Sequence, residues 1–190
     1  MWKWATEGPW IKNKETDTEW KWKSEWGALY IAFKGSTSDM DWKQNFSFWI
    51  RPYKRMPVTW FAHSGFVTKW RSVEEEVLQL VTKFPDLPVK VYGFSQGGAV
   101  ATLAHEAIRF HFPNKLILTL TWGAPRSVWF WNYWKIKDRF KGVFNKQKRQ
   151  DIVPKLPPWW FGYRHVNRVK KIGRCWPTLR FKKVHMSYRD

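Results

Sequence analysis

Between a short apolar run and a run of small residues stands Gly93-Phe94-Ser95-Gln96-Gly97. Residues 89–92 before it, Val-Lys-Val-Tyr, read as a buried strand. Residues 96–112 after it read as a helix with small side chains in its first turns and Pro113 beyond its end. A G-x-S-x-G pentapeptide between a strand and a helix demands a very sharp turn. Gly93 and Gly97 are required there because side chains would collide across it, and the serine itself is strained. Such a turn presents the Ser95 hydroxyl outward, and the new helix aims its positive end at it. A serine hydroxyl is a poor nucleophile unless a base removes its proton, so the motif asks for a histidine and an acid elsewhere in the chain. The backbone N–H of Gln96 is the first candidate donor to a developing oxyanion. Taken alone, the pentapeptide also fits a glycine-rich turn with a serine N-cap.

The remaining chain predicts the frame in which such a turn sits. Ala28-Leu29-Tyr30-Ile31-Ala32-Phe33 is short, apolar and rich in β-formers, as are residues 116–122. Residues 141–144 form a fourth candidate strand, with Asp151 in the loop beyond it. Residues 72–84 carry Val73, Val77, Leu80, Val81 and Phe84 on one face, with Ser72 and Glu75 as a capping box. Residues 1–27 are read as a helix and strand flanking the core, and residues 161–172 as a hairpin. The long segment 36–62 is read as a lid or binding loop. Strand, helix, strand, helix, strand is the rhythm of an α/β fold with a mostly parallel sheet. At 190 residues the chain is expected to form one domain.

Charge and aromatic content are the abnormal features. The chain carries a net charge of +19 and 17 tryptophans. Residues 135–190 hold 17 Lys and Arg against three Asp, whereas residues 1–134 hold 17 against 12 acids. A basic half implies an anionic partner: a membrane surface, a nucleic acid or an acidic substrate. Solubility charge is the plain alternative. The tryptophans at 129, 131, 134, 159 and 160 fall in segments expected near the ligand-binding edge of the sheet, whereas most of the 17 are read as part of an unusually Trp-rich core. The first residues show no apolar leader core, no run is long enough to span a bilayer, and Cys175 is the only cysteine. Together these lead to the expectation of a cytoplasmic protein. His105 and His111 lie six apart on one predicted helix and so on different faces. No Cys/His/Asp spacing reads as zinc or calcium, and no cofactor is expected. Glu74-Glu75-Glu76 reads as a solvated helix face.

From Ala28 to its end the chain resembles the class 3, or fungal-type, lipases. The resemblance rests on eight motifs in order. They are Phe33-Lys34-Gly35-Ser36 closing a strand, Asp41-Trp42, His63-Ser64-Gly65-Phe66, and the elbow running on from Gly97 to Ala104. Then come Thr121-Trp122-Gly123-Ala124-Pro125-Arg126, the D-x-V-P-x-L-P-P run from Asp151, Gly162-Tyr163-Arg164-His165, and His185-Met186-Ser187-Tyr188. The resemblance implies an α/β-hydrolase fold in a reduced form. It implies ester hydrolysis through Ser95 as nucleophile, His185 as base and Asp151 as orienting acid, in the chain order expected of that fold. It also implies an oxyanion hole from Ser36 and Gln96, and a lid that carries Trp42. The family usually has His before the nucleophile and Leu after it, where this chain has Phe94 and Gln96. Lys34 stands for the usual Arg, and the interval from Asp151 to His185 is short.

The implied substrate is a lipid or medium-chain ester; the charge, not the resemblance, adds an anionic membrane surface as a further candidate partner. A thioesterase or general carboxylesterase is the enzymatic alternative, since Gly-Phe-Ser-Gln-Gly-Gly also resembles the acyl-protein thioesterase elbow. A non-catalytic basic module for anionic lipid or nucleic acid is the other. Nucleic acid is disfavoured, because a binding module has no need of serine, acid and histidine in order.

Overall fold

The computed structural model describes residues 2–35, 49–166, 168–173 and 181–188. A short helix α1 (Trp2–Thr6) leads into strands β1 (Ile11–Asn13), β2 (Thr18–Glu25) and β3 (Ala28–Phe33). A hairpin of β4 (Ile50–Arg55) and β5 (Val58–His63) precedes helices α2 (Ser64–Arg71) and α3 (Glu74–Lys83). Then come β6 (Val89–Phe94), the long helix α4 (Gln96–His111), β7 (Ile117–Trp122) and β8 (Val128–Trp129). Helix α5 (Tyr133–Ile136), β9 (Val143–Lys148), β10 (Tyr163–Arg164), β11 (Arg168–Ile172) and α6 (Phe181–Met186) follow.

The main sheet has the order β1-β2-β3-β6-β7-β9-β11. From β3 to β11 its neighbours are parallel, and β1 and β2 add an antiparallel edge. Alternation along the strands supplies two faces. On one, Leu29, Ile31, Phe33, Val89, Val91, Ile117 and Val143 pack beneath α4, which is buried from Gly97 to Ile108. On the other, Ala28, Tyr30, Ala32, Tyr92 and Trp122 meet Ala5 of α1 and Tyr188. Tyr30, Tyr92 and Trp122 stack in series at 6.3 and 5.9 Å between ring centroids, and Trp4 closes edge-on over the two tyrosines. Each fully buried large side chain contributes about 1.5–3 kcal/mol of transfer free energy. Several of the 17 tryptophans are therefore core residues, among them Trp20, Trp60 and Trp70, which are 3% exposed or less.

A second, antiparallel sheet, β10-β8-β5-β4, lies against α2. Tyr53 and Trp60 pack ring to ring at 4.6 Å, and the Trp70 indole donates to the Tyr53 hydroxyl at 2.8 Å. The loop expected over residues 36–62 is thus half replaced by a hairpin. Pro52 is accommodated because β4 is the edge strand, where a missing N–H costs no ladder bond. Residues 36–48, including Ser36, Asp41 and Trp42, lie outside the described residues.

Three other expectations are corrected. The capping box is absent: Ser72 closes α2, its hydroxyl donating to the Lys69 carbonyl at 2.9 Å, and α3 starts afresh at Glu74. The hairpin at 161–172 does not form. β10 pairs with β8, while β11 runs parallel to β9 as a new edge of the main sheet. The fourth strand runs over Val143–Lys148, because its inward positions are partly polar. Asn145 is buried and bonds both the N–H and the carbonyl of Ala124, at 3.4 and 3.2 Å. Among the described residues, no helix is long and apolar enough to cross a membrane.

Candidate active site

β6 and α4 meet at Ser95, whose φ of 53° and ψ of −126° lie where non-glycine residues are strained. Its neighbours hold it there: its N–H donates to the Trp122 carbonyl at 2.9 Å, and its carbonyl accepts from Gly98 N–H at 2.9 Å. The glycines answer to backbone contacts. A Cβ on Gly93 would stand 2.3 Å from the Gly97 carbonyl oxygen, and one on Gly97 would stand 2.3 Å from that of Phe33. The turn can therefore cross itself and lie against the end of β3 only with hydrogens at both positions. Gln96 is the first residue of α4, so its N–H belongs to the unpaired first turn at the positive end of the helix.

β9 ends by delivering Asp151, 1% exposed, to the same edge of the sheet. Its Oδ1 accepts the Val153 N–H at 3.0 Å. Its Oδ2 lies 2.7 Å from His185 Nδ1 and accepts the Tyr188 hydroxyl at 2.9 Å. A carboxylate oxygen can only accept, so Nδ1 carries the proton and Nε2 is the basic nitrogen of the ring. The Tyr188 oxygen itself accepts the Lys148 N–H at 2.6 Å. Burial, and then the Asp151 charge, push the Tyr188 hydroxyl up, which keeps it a donor.

Serine and histidine share a corner. Trp122, whose carbonyl holds the Ser95 N–H, is followed by Gly123 at φ 60°. A Cβ on Gly123 would stand 2.9 Å from His185 Cε1 and 3.1 Å from Asp151 Oδ2. The His185 ring stacks on Phe94, the residue before Ser95, at 4.8 Å between centroids. Ser95 and His185 are 4% and 1% exposed.

The remaining candidates fall elsewhere. Ser36 and Trp42 are not among the described residues, although a Cβ on the adjoining Gly35 would meet the Phe94 carbonyl at 2.8 Å, so the exit of β3 abuts the elbow. Lys34 pairs with Glu19 at 2.6 Å. His63 is buried and stacks on Phe66 at 4.2 Å. His105 bridges Thr119 Oγ1 at 2.8 Å and the Lys141 carbonyl at 3.0 Å, and burial lowers it to about 3. His165 lies 2.7 Å from the Pro154 carbonyl and is lowered to about 4, again by burial. Two residues at the site gained no role from sequence reasoning, Tyr188 and Gly123. Tyr188 follows His185 by three residues, in the turn just past α6, and that spacing is the signal that could have found it.

The class 3 lipase family matches residues 30–161. A secreted mono- and diacylglycerol lipase of Fusarium solani is 31% identical over 146 residues, 73% of this chain and 42% of that protein. The Rhizomucor miehei lipase in complex with its propeptide superposes with a TM-score of 0.74 at 25% identity, covering 86% of this chain and 55% of that one. A triacylglycerol lipase whose catalytic centre is a serine-protease triad superposes at 0.75 with 26% identity, over 87% and 66%. This chain thus spans less than half the length of the Fusarium relative. That relative is named as secreted, which overturns the expectation of a cytoplasmic protein. The lone cysteine behind that expectation does not fix a compartment, because a domain of this length can bury a sufficient core without a disulfide.

Proposed function

The chain belongs to the class 3 lipase family, and we propose that it is a serine hydrolase that cleaves acyl esters of lipids through Ser95, His185 and Asp151. The observation that carries this reading is the His185–Asp151 bond at 2.7 Å, set on the corner that holds the strained Ser95. His185 Nε2 takes the Ser95 proton as Oγ bonds to the acyl carbon, and the carbonyl π electrons move to oxygen. The Gln96 N–H, with Ser36 as second donor, stabilises that oxyanion, and one such donor is worth about 2.7–4 kcal/mol. When the carbonyl re-forms, the ester C–O bond breaks and His185 gives its proton to the leaving alcohol. Water then repeats the sequence on the acyl-enzyme. Asp151 holds the imidazole tautomer and stabilises the imidazolium without itself being protonated. No step calls on a cofactor.

We read the chain as one hydrolase domain, since residues of both sheets share one core. The substrate class follows from the relatives, which are named for mono-, di- and triacylglycerol. The basic C-terminal portion suits an anionic lipid surface better than nucleic acid, because the site beside it is built for ester chemistry. Hydrolysis of p-nitrophenyl esters of graded chain length tests the reading. Turnover that rises from short to medium or long acyl chains supports it, and turnover of none of them rejects it.

A further inference from the structure

A cleft of about 490 Å³ opens beside Asp151, on the edge of the main sheet formed by β9 and β11. Arg126, Lys148, Arg149, Lys155 and Lys171 line it, and Asp151, the one carboxylate among its lining residues, is committed to His185 and Tyr188. Arg126 is held by the carbonyls of Lys155 and Pro157, the latter at 2.8 Å, and Lys148 by the carbonyl and hydroxyl of Ser187. These neutral partners fix the two side chains without cancelling their charge. Among the described residues, none of the five cations makes an ion pair. Five uncompensated cations around one concavity focus a positive potential into it.

The loop that forms one wall of this cleft continues into an aromatic ridge. Four residues after Lys155, Trp159 and Trp160 stand 68% and 67% exposed on a 3₁₀ turn (Trp159–Phe161). The Trp129 indole donates to the Phe161 carbonyl at 2.8 Å and the Phe130 N–H to that of Gly162 at 2.9 Å. These bonds tie the segment that carries the exposed rings of Phe130 and Trp131, packed edge to face at 6.2 Å, to the same 3₁₀ turn. An exposed aromatic cluster of this kind marks an interaction surface, and Trp in particular settles where an apolar layer meets water. Nothing in ester chemistry at Ser95 requires either feature.

We propose that this face docks on a lipid surface bearing anionic phosphate headgroups, with a phosphate entering the basic cleft and Trp159 and Trp160 entering the interfacial layer. Cations and exposed indoles joined by one short loop match such a surface in charge and in polarity profile together. Arg149 supplies a planar fork suited to phosphate oxygens, and Lys171 a point charge beside it. The inference rests on the proposed action on lipid esters and adds the surface on which the substrate is met.

The test uses the full chain carrying Ser95→Ala, so that vesicles are bound but not hydrolysed and the result is independent of catalysis. Sedimentation with vesicles of phosphatidylcholine, alone or mixed with phosphatidylglycerol, gives the two affinities. Binding to the mixed vesicles is expected to be tenfold tighter or more. It should weaken steeply toward roughly 1 M salt, where the Debye length falls to about 3 Å. Adding Arg149→Gln and Lys171→Gln should cost about fivefold per cation on mixed vesicles, which is about 1 kcal/mol each, and little on neutral ones. Adding Trp159→Ser and Trp160→Ser should weaken binding to both kinds. Unchanged circular dichroism and thermal unfolding show that each variant is folded. Equal affinity for the two vesicles, full mixed-vesicle binding by the Arg149/Lys171 variant, or tighter binding to duplex DNA than to vesicles would each overturn the proposal. Loss of ester hydrolysis in the parent chain would instead strike at the catalytic reading.

Discussion

At Asp151 a single carboxylate oxygen meets His185 Nδ1 and the Tyr188 hydroxyl together. Tyr188 also takes the Lys148 N–H, so it ties the acid to the end of β9. Tyr188→Phe removes a hydrogen bond to a charged acceptor and leaves a backbone donor without its partner. It is expected to cost about 1.5–3 kcal/mol in thermal unfolding and to lower kcat on a soluble ester. Gly123 is constrained differently, by φ 60° and by His185 Cε1, 2.9 Å from where a Cβ would stand. Gly123→Ala should give a folded protein whose kcat is down about 100-fold, the usual effect of misplacing a reacting group by an ångström. Steady-state kinetics on a p-nitrophenyl ester measures both. At this scale the sequence marked Ser95, Asp151 and His185 as candidates through ordered motifs, and the structure brings Asp151 and His185 into contact beside the corner that holds Ser95. Tyr188 and Gly123 stand in the same motifs yet gained no role, because the bond to Asp151 and the clearance left for His185 are visible only once distant segments are brought together.

Elements were legible where the hydrophobic pattern had one partner to answer to. β3, β6 and α4 are buried almost throughout, so continuous apolar runs announced them. β9 was cut short in reading because Asn145 and Gln147, polar and buried, break the apolar alternation. The 161–172 hairpin failed because pairing is decided by neighbours the local sequence cannot see: β8 for β10 and β9 for β11. His105 shows what a buried polar joint does. It bonds α4 to Thr119 of β7 and to the Lys141 carbonyl, and burial lowers it from 6.5 to about 3. The unfolded chain therefore binds a proton below pH 6.5 that the native chain refuses, so this group's effect on stability is lost as pH falls from about 6.5 toward 3. The expected slope is about 1.4 kcal/mol per pH unit for this residue, and urea unfolding at pH 7 and pH 4.5 measures it. A His105→Gln variant should lose that part of the acid sensitivity even though it is less stable at pH 7.

In the whole molecule, the second sheet is tied to helices α3 and α4 by a buried charge cluster that no sequence pattern disclosed. Arg55 of β4 pairs with Glu74 of α3 and lies 3.6 Å from Glu106 of α4, which also takes Arg139 at 2.8 Å. Burial pushes the Glu106 carboxyl up, and the two arginines pull it back. Glu106→Ala leaves both guanidinium groups without this partner and should destabilise the fold by about 3–5 kcal/mol, read as a lowered urea midpoint. The cluster was illegible because its members come from four segments, and each looks like an ordinary surface charge. The family and the core architecture were legible for the opposite reason, since the motifs that position Ser95, Asp151 and His185 are local and ordered. That constellation is most directly tested with a fluorophosphonate probe, followed by mapping of the adduct by mass spectrometry. The expected result is one adduct, on Ser95, abolished in Ser95→Ala and strongly slowed in His185→Ala, with ester turnover falling about 10⁴-fold or more in Ser95→Ala. An adduct on another residue, or most of the turnover surviving in Ser95→Ala, would contradict the assignment.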